Sequence, residues 1–359
     1  MKIPQLILPE NPNFSCGPTR KPDGWSLNKL NKKFLGRYHR SCDVKKYIDD
    51  VISTIRRILK VPNDHDLKIL PGSATGAMES VIWSFLGKEE VSSIIYDYWG
   101  VTWNEALKKK NLKTDSRISL DGTIPPLEKI PNKNDILLVW TGTSTGMSIN
   151  QLDEISIEHQ GLVICDLTSA TFINDIPWKK IDVSVFSWQK ALGSEAQHGM
   201  ITISPKAKER LNKDNKIPKI MDIANHDYLI NTPSLLSISD LELCLKLYQK
   251  RGTLKENQKI CKENKKIIDS WIDKNNFVKK FAKKKKYEAL SSVYLIFNNE
   301  INYEKLFDFL FKNKIAFDIR NYRKAPKGIR IWIGPTIKKN DLIALTNWLD
   351  WCFKNLKLR

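Results

Sequence analysis

Residues 162–190 read LVICDLTSATFINDIPWKKIDVSVFSWQK. Two short apolar runs, LVIC at 162–165 and VSVF at 183–186, have the length and β-branched content of buried strands, the kind found in a sheet covered on both faces. Each run leads into a residue with chemistry. Asp166 follows the first directly, and Lys190 closes the Ser-Trp-Gln-Lys stretch after the second. In an open α/β sheet, ligands bind outside the carboxyl ends of the strands. A carboxylate placed there can keep a heterocyclic nitrogen protonated. A Lys whose pKa is lowered by burial can form a Schiff base with an aldehyde. Taken singly, Asp166 reads equally well as a turn cap and Lys190 as a surface residue. The pairing of the two is what narrows the reading.

Working outward, the run 67–70 predicts a strand, followed by the turn Pro71-Gly72-Ser73 and a helical pattern over 75–85. The loop Gly72-Ser73-Ala74-Thr75-Gly76 lets the backbone approach a ligand closely at a helix start, where free N–H groups favour an anion. No Lys-Ser/Thr pair closes it, so it is not a P-loop. A plain capped helix start would look much the same. SSIIY at 92–96 predicts another strand, and a helix is expected over 102–110. Trp99 and Trp103 follow that strand, and either indole could stack on a pyridine ring or pack into the core. Asp166, Lys190 and the small-residue loop together are the three parts that pyridoxal 5'-phosphate requires, for its ring nitrogen, its aldehyde and its phosphate.

The pattern continues on both sides. DVKKYIDDVISTIRRILK at 43–60 is an amphipathic helix, and 136–140 and 199–204 predict strands. Strands alternate with helices from about 45 to 250, which predicts an α/β unit around a large mixed sheet. A long helix is expected over 233–274. Beyond it, strands at 292–297 and 329–333 and helices at 303–312 and 339–353 predict a smaller α+β unit. The expected division is 16–255 for a large cofactor-binding domain and 256–359 for a small C-terminal one, with 1–15 packing near the latter. A cleft between them is a natural ligand site.

The 359-residue chain carries 41% hydrophobic residues and a net charge of +19. No apolar run approaches the roughly 20 residues needed to cross a bilayer. The start lacks the long apolar core of a signal peptide, so a cytoplasmic protein with no membrane association is expected. The six cysteines form no CxxC pair, which predicts free thiols and no metal site. Much of the positive excess lies in Lys-rich stretches at 108–110, 262–266 and 279–286. These read as solvated surface, because no nucleic-acid-binding motif accompanies them.

On these residues the chain resembles the phosphoserine aminotransferase family of class V aminotransferases, over nearly its whole length. Asn13-Phe14-Ser15-Cys16-Gly17-Pro18 resembles the family's FSxGP signature. Gly36-Arg37-Tyr38-His39-Arg40-Ser41 resembles its His-Arg segment, Ser-Trp-Gln-Lys its cofactor-lysine segment, Asn231-Thr232-Pro233-Ser234 its NTP motif, and Gly328-Ile329-Arg330 its C-terminal Arg segment. The resemblance implies the type I fold of pyridoxal-phosphate-dependent transferases, and a set of roles. Lys190 carries the cofactor and shuttles the proton, Asp166 pairs with the ring nitrogen, and Trp103, rather than Trp99, stacks on the ring. Ala74 and Thr75 hold the phosphate, Thr143 meets the 3-oxygen side, Thr168 touches phosphate or ring, and Gln189 belongs to the same cofactor set. Asn231 and Thr232 reach the phosphate in the neighbouring subunit of a homodimer with shared sites.

For substrate, the resemblance implies Arg330 on the α-carboxylate and His39 with Arg40 on the substrate phosphate across the dimer. The expected reaction is reversible transamination between L-glutamate and 3-phosphooxypyruvate, giving 2-oxoglutarate and O-phospho-L-serine. The phosphorylated hydroxythreonine of vitamin B6 synthesis is a further family substrate. The cradle loop departs from better-known bacterial members, which carry an Arg after a Gly there. Arg323 or Lys324 are the bases expected to compensate. The rival readings are another class V enzyme, such as an alanine– or serine–glyoxylate aminotransferase, and a non-catalytic, basic nucleic-acid-binding protein.

Overall fold

A computed structural model describes residues 5–149, 152–212, 216–224, 232–297, 301–323 and 325–358. Its centre is a seven-stranded sheet. The strands are β1 (Asp66–Pro71), β2 (Val91–Ile95), β3 (Thr114–Ile118), β4 (Asp135–Val139), β7 (Val163–Asp166), β8 (Val183–Phe186) and β9 (His198–Ile203), in the order β1-β9-β8-β7-β4-β2-β3. The short hairpin β5 (Thr141–Gly142) and β6 (Met147–Ser148) stands apart from it. Neighbours from β3 through β8 pair in parallel, whereas β9 pairs antiparallel with both β8 and β1. The sheet is therefore mixed.

Alternation along each strand sends side chains into two cores. Val163 and Cys165 join one apolar cluster, and Ile164 between them joins the other. The second cluster is filled by α2 (Ser73–Phe85) and α3 (Tyr98–Lys109), through Ala77, Met78, Val81, Trp103 and Leu107. The first is filled in part by α1 (Cys42–Leu59), whose buried Val44, Ile48, Val51, Ile55 and Leu59 recur at helical spacing. α4 (Pro205–Glu209) is a single turn capped by Ser204.

The helix expected over 233–274 is two helices, α5 (Leu235–Arg251) and α6 (Thr253–Asp273). Gly252, at φ 118°, ends the first and donates its N–H to the carbonyls of Tyr248 and Gln249. Beyond α6, a three-stranded antiparallel sheet of β10 (Val278–Lys280), β11 (Ser292–Phe297) and β12 (Ile329–Trp332) is joined by α7 (Tyr303–Lys312) and α8 (Lys339–Asn355). The Lys-rich run at 279–286 is not simply solvated surface. It begins in β10, where Lys280 forms ion pairs with Asp269 at 2.6 Å and Glu288 at 2.7 Å.

The N-terminal stretch packs on the C-terminal elements β12 and α8. The Ile7 carbonyl accepts from the Trp348 indole at 3.1 Å, and the Phe14 carbonyl from the Trp332 amide at 3.0 Å. Arg20 forms a buried ion pair with Asp341 at 2.5 Å. Among the described residues, no helix is long and apolar enough to cross a membrane.

Candidate active site

Because β1 runs parallel to β8, the carboxyl ends of β1, β2, β4, β7 and β8 lie along one edge of the sheet. The turns leaving those ends carry Ser73 to Gly76, Asp97, Thr143, Asp166 and Lys190. This is the crevice edge of an open α/β sheet.

Lys190 is buried, with 8% of its surface exposed. Its Nζ donates to the Cys16 carbonyl. Burial pushes its amine down to about 8, and Arg330 adds to the fall, while Cys16, Asp166 and Asp97 oppose it. A minor but appreciable fraction of the amine, roughly a tenth or more, is therefore neutral near physiological pH. The loop holding it is fixed from the N-terminal stretch: Thr19 donates twice, from its amide to the Gln189 carbonyl at 2.9 Å and from its hydroxyl to the Lys190 carbonyl at 2.6 Å. Gly17, at φ 143°, has a backbone conformation that residues with a side chain rarely adopt, and a Cβ there would stand 2.6 Å from Lys190 Nζ and push the amine aside. That contact gives the FSxGP signature a physical meaning.

Asp166 ends β7 and is buried. Its Oδ1 accepts from the Thr168 amide at 3.0 Å and the Thr168 hydroxyl at 2.6 Å, and its Oδ2 accepts from the Trp103 indole N–H at 3.2 Å. Burial raises its pKa, and these donors and Lys190 pull it back. The sequence reading directed Thr168 to phosphate or ring, but the structure turns its hydroxyl to Asp166. Trp103 likewise presents its N–H to the carboxylate. Trp99 stands one turn earlier on α3, its ring 5.7 Å from that of Trp103 and stacked at 5.3 Å on Tyr322.

The helix α2 starts at Ser73, after Gly72 at φ 79°. The Ser73 amide donates to the Gln197 carbonyl at 3.1 Å, and the next two amides, of Ala74 and Thr75, lie in the first turn, where a helix leaves its N–H groups without intrahelical partners. Gly76 cannot carry a side chain, because a Cβ would meet the Pro71 carbonyl at 2.1 Å. Thr143 sits in the turn after β5, buried, with its hydroxyl unpartnered, and the Gln189 side-chain oxygen is also buried without a partner. Unpartnered buried polar atoms carry a free-energy penalty that a ligand would relieve. The open amides, the unpartnered hydroxyl, the buried carboxylate and the partly neutral amine fit pyridoxal phosphate.

Arg330 lies on β12. Its Nε is buried without a partner, and its guanidinium sits 5.3 Å from the Tyr322 ring centre. A cavity of about 500 Å³ beside it is lined by Phe307, Phe311, Arg320 and Asn321. Arg330 is near enough to act on both Lys190 and Cys16: it adds to the fall of the amine and opposes the rise that burial gives the thiol. His39 and Arg40 are elsewhere, just before α1. Among the described residues, no hydrogen bond, ion pair or ring contact links them to Lys190, Asp166 or Arg330. His39 is buried with Nε2 unpartnered, and Arg40 is exposed. Thr232 is exposed, near Ser234, whose amide donates to His198 Nε2 at 3.0 Å. Asn231 and Lys324 lie outside the described residues. Arg323 is exposed and stacks on Tyr322 at 5.0 Å.

A phosphoserine aminotransferase of Methanosarcina mazei is 37% identical over 367 residues, covering 98% of this chain and 99% of that protein. The chain belongs to the phosphoserine aminotransferase family. A second relative of the same name, from Methanosarcina barkeri, is 36% identical with the same coverage. The crystal structure of a PLP-bound phosphoserine aminotransferase from Trichomonas vaginalis has the same fold. Its TM-score is 0.78 at 16% identity, over 95% of this chain and all of that one (100%). No family model matches the chain. The fold is the type I fold of pyridoxal-phosphate-dependent transferases, and membership of the family makes the chain an aminotransferase that uses that cofactor.

Two residues at this family member's site escaped the sequence reading. Asp97, fully buried at the start of α3, accepts from the Gly100 amide at 2.8 Å and the Ser144 hydroxyl at 3.0 Å, and burial raises it to about 6. It follows the strand run SSIIY much as Asp166 follows LVIC, so the same signal was available for it. Asp240 of α5 accepts from Lys21, the Trp25 indole, the Ser194 hydroxyl and the Glu195 amide, and so anchors the loop that follows Lys190. Its only mark in the sequence is a carboxylate among leucines.

Proposed function

We propose that the chain catalyses reversible amino transfer between L-glutamate and 3-phosphooxypyruvate, giving 2-oxoglutarate and O-phospho-L-serine. The observation that carries this reading is the Lys190 amine, buried against the Cys16 carbonyl and lowered to about 8, with Asp166 and Arg330 close enough to act on its charge. Pyridoxal phosphate, when bound, supplies the aldehyde that takes the amino group and the ring that takes up an electron pair. Asp166 would hold a proton on the ring nitrogen. The amides of Ala74 and Thr75 would take the phosphate at the start of α2, and Thr143 and Gln189 would meet the ring substituents. Lys190 Nζ would move the proton at the substrate α-carbon, as suits a base with a pKa near the working pH. Arg330 would take the α-carboxylate through its planar fork.

The same reading makes the enzyme a homodimer. His39 and Arg40 stand apart from the other site residues within one chain, and Tyr38 and Leu35 beside them are exposed. They would bind the substrate phosphate in the partner's site, with Asn231 and Thr232 reaching the partner's cofactor. The division into a large unit over 16–255 and a small one over 256–359 belongs to this proposal, and the separateness of the seven-stranded and three-stranded sheets supports it.

The test is the visible spectrum of the purified protein. A cofactor band should be present, fall on addition of O-phospho-L-serine, return with 2-oxoglutarate, and be absent from Lys190→Ala. A band that responds to alanine or serine but not to phosphoserine would overturn the substrate assignment.

A further inference from the structure

The Asp166 carboxylate is held by two elements. Thr168, two residues on, supplies two donors to Oδ1, while Trp103 on α3 supplies one to Oδ2 at 3.2 Å. Trp103 is only 1% exposed and belongs to the apolar cluster between the sheet and helices α2 and α3. Its indole N–H has no water to turn to, and the carboxylate is the partner it has. A carboxylate oxygen has two acceptor positions, so Oδ2 retains one for a further donor.

From this geometry we infer that Trp103 is a positioning residue. It fixes the Asp166 carboxylate through Oδ2 and holds it ionised, with the second lone pair of that oxygen aimed into the crevice for a heteroaromatic N–H. The inference rests on the functional reading above. A hydrogen bond to a charged group stabilises the ionised form and fixes its plane, whereas a packing contact does neither. Asp166 also faces Lys190, Asp97, Tyr96 and Cys165. These four are common to the wild type and to a Trp103 variant, so the difference between their pH profiles isolates the indole.

The experiment is the dissociation constant of pyridoxal phosphate measured across acid to neutral pH for wild type, Trp103→Phe and Trp103→Tyr. Affinity weakens as Asp166 takes up a proton. Without the indole donor that weakening should begin at higher pH, by about one pH unit, the equivalent of a tenfold loss at a fixed acid pH. Trp103→Tyr, which keeps a donor and does not titrate in this range, should stay near the wild-type profile. Equal shifts in Phe and Tyr variants, or a shift in neither, would overturn the inference and leave Trp103 as packing. Should the Phe variant fail to fold, the wild-type indole N–H resonances decide. One of them should titrate with the same midpoint as cofactor affinity and move in Asp166→Asn, and the absence of any such resonance counts against the inference. Failure of the wild type to bind the cofactor at all would bring down the functional reading as well, an outcome distinct from binding with an unmoved profile.

Discussion

Asp97 and Lys190 are both buried ionisable groups, and burial moves them toward each other on the pH scale. Asp97 rises to about 6 and Lys190 falls to about 8. For Asp97, the folded protein holds its proton more tightly than the unfolded chain does. Stability from this group is therefore fully present below about pH 4 and is lost as pH rises through about 6. In the cofactor-free protein, Asp97→Asn should remove that decline. Subtracting the two denaturation series should show a difference of roughly 3 kcal/mol developing between about pH 4 and pH 6. A flat difference would mean that Asp97 titrates as an ordinary carboxylate. Asn can still accept from the Gly100 amide, so the cap on α3 survives the change.

At the scale of elements, the loop after β8 depends on α5. Asp240 gathers donors from 21–25 and 194–195 onto one buried carboxylate. Asp240→Ala should lower the stability of the protein by about 3 kcal/mol, since it leaves the Trp25 indole, the Ser194 hydroxyl and the Glu195 amide without their shared acceptor, while Lys21 keeps its ion pair with Glu195. A fall in the denaturant midpoint at unchanged slope would measure this. The interior strands were legible in the sequence because burial on both faces makes them continuously apolar, as in VSVF at 183–186. The edge strand Thr114–Ile118 was not, since TDSRI is half-buried and shows no apolar run. The break at Gly252 had a readable mark, a Gly after Lys250 and Arg251, which is how helices commonly end. Asp166 and Lys190 were found from their positions after strands. The direction of the Thr168 and Trp103 side chains was not, because neither a bond across a turn nor a partner 63 residues away leaves a periodicity in the chain.

For the whole molecule, the separation of His39 and Arg40 from Lys190 makes the shared-site proposal testable by mixing. Lys190→Ala and Arg40→Ala should each be nearly inactive alone. Unfolded together and refolded as a mixture, they should recover about a quarter of wild-type activity, because half the dimers are mixed and each mixed dimer has one intact site. No recovery, in a preparation shown to be dimeric, would place both residues in one chain's site.

The N-terminal stretch that grips the lysine loop also grips the far end of the chain. Arg20 pairs with Asp341, 321 residues away, while Thr19 beside it holds the Lys190 carbonyl. On the ribosome the central sheet can form while the last hundred residues are still being made, but Arg20 has nothing to close on until Asp341 emerges. The reactive pocket is thus not finished until the C-terminal helix has been made. A nascent or C-terminally truncated chain carries its lysine without the finished pocket around it.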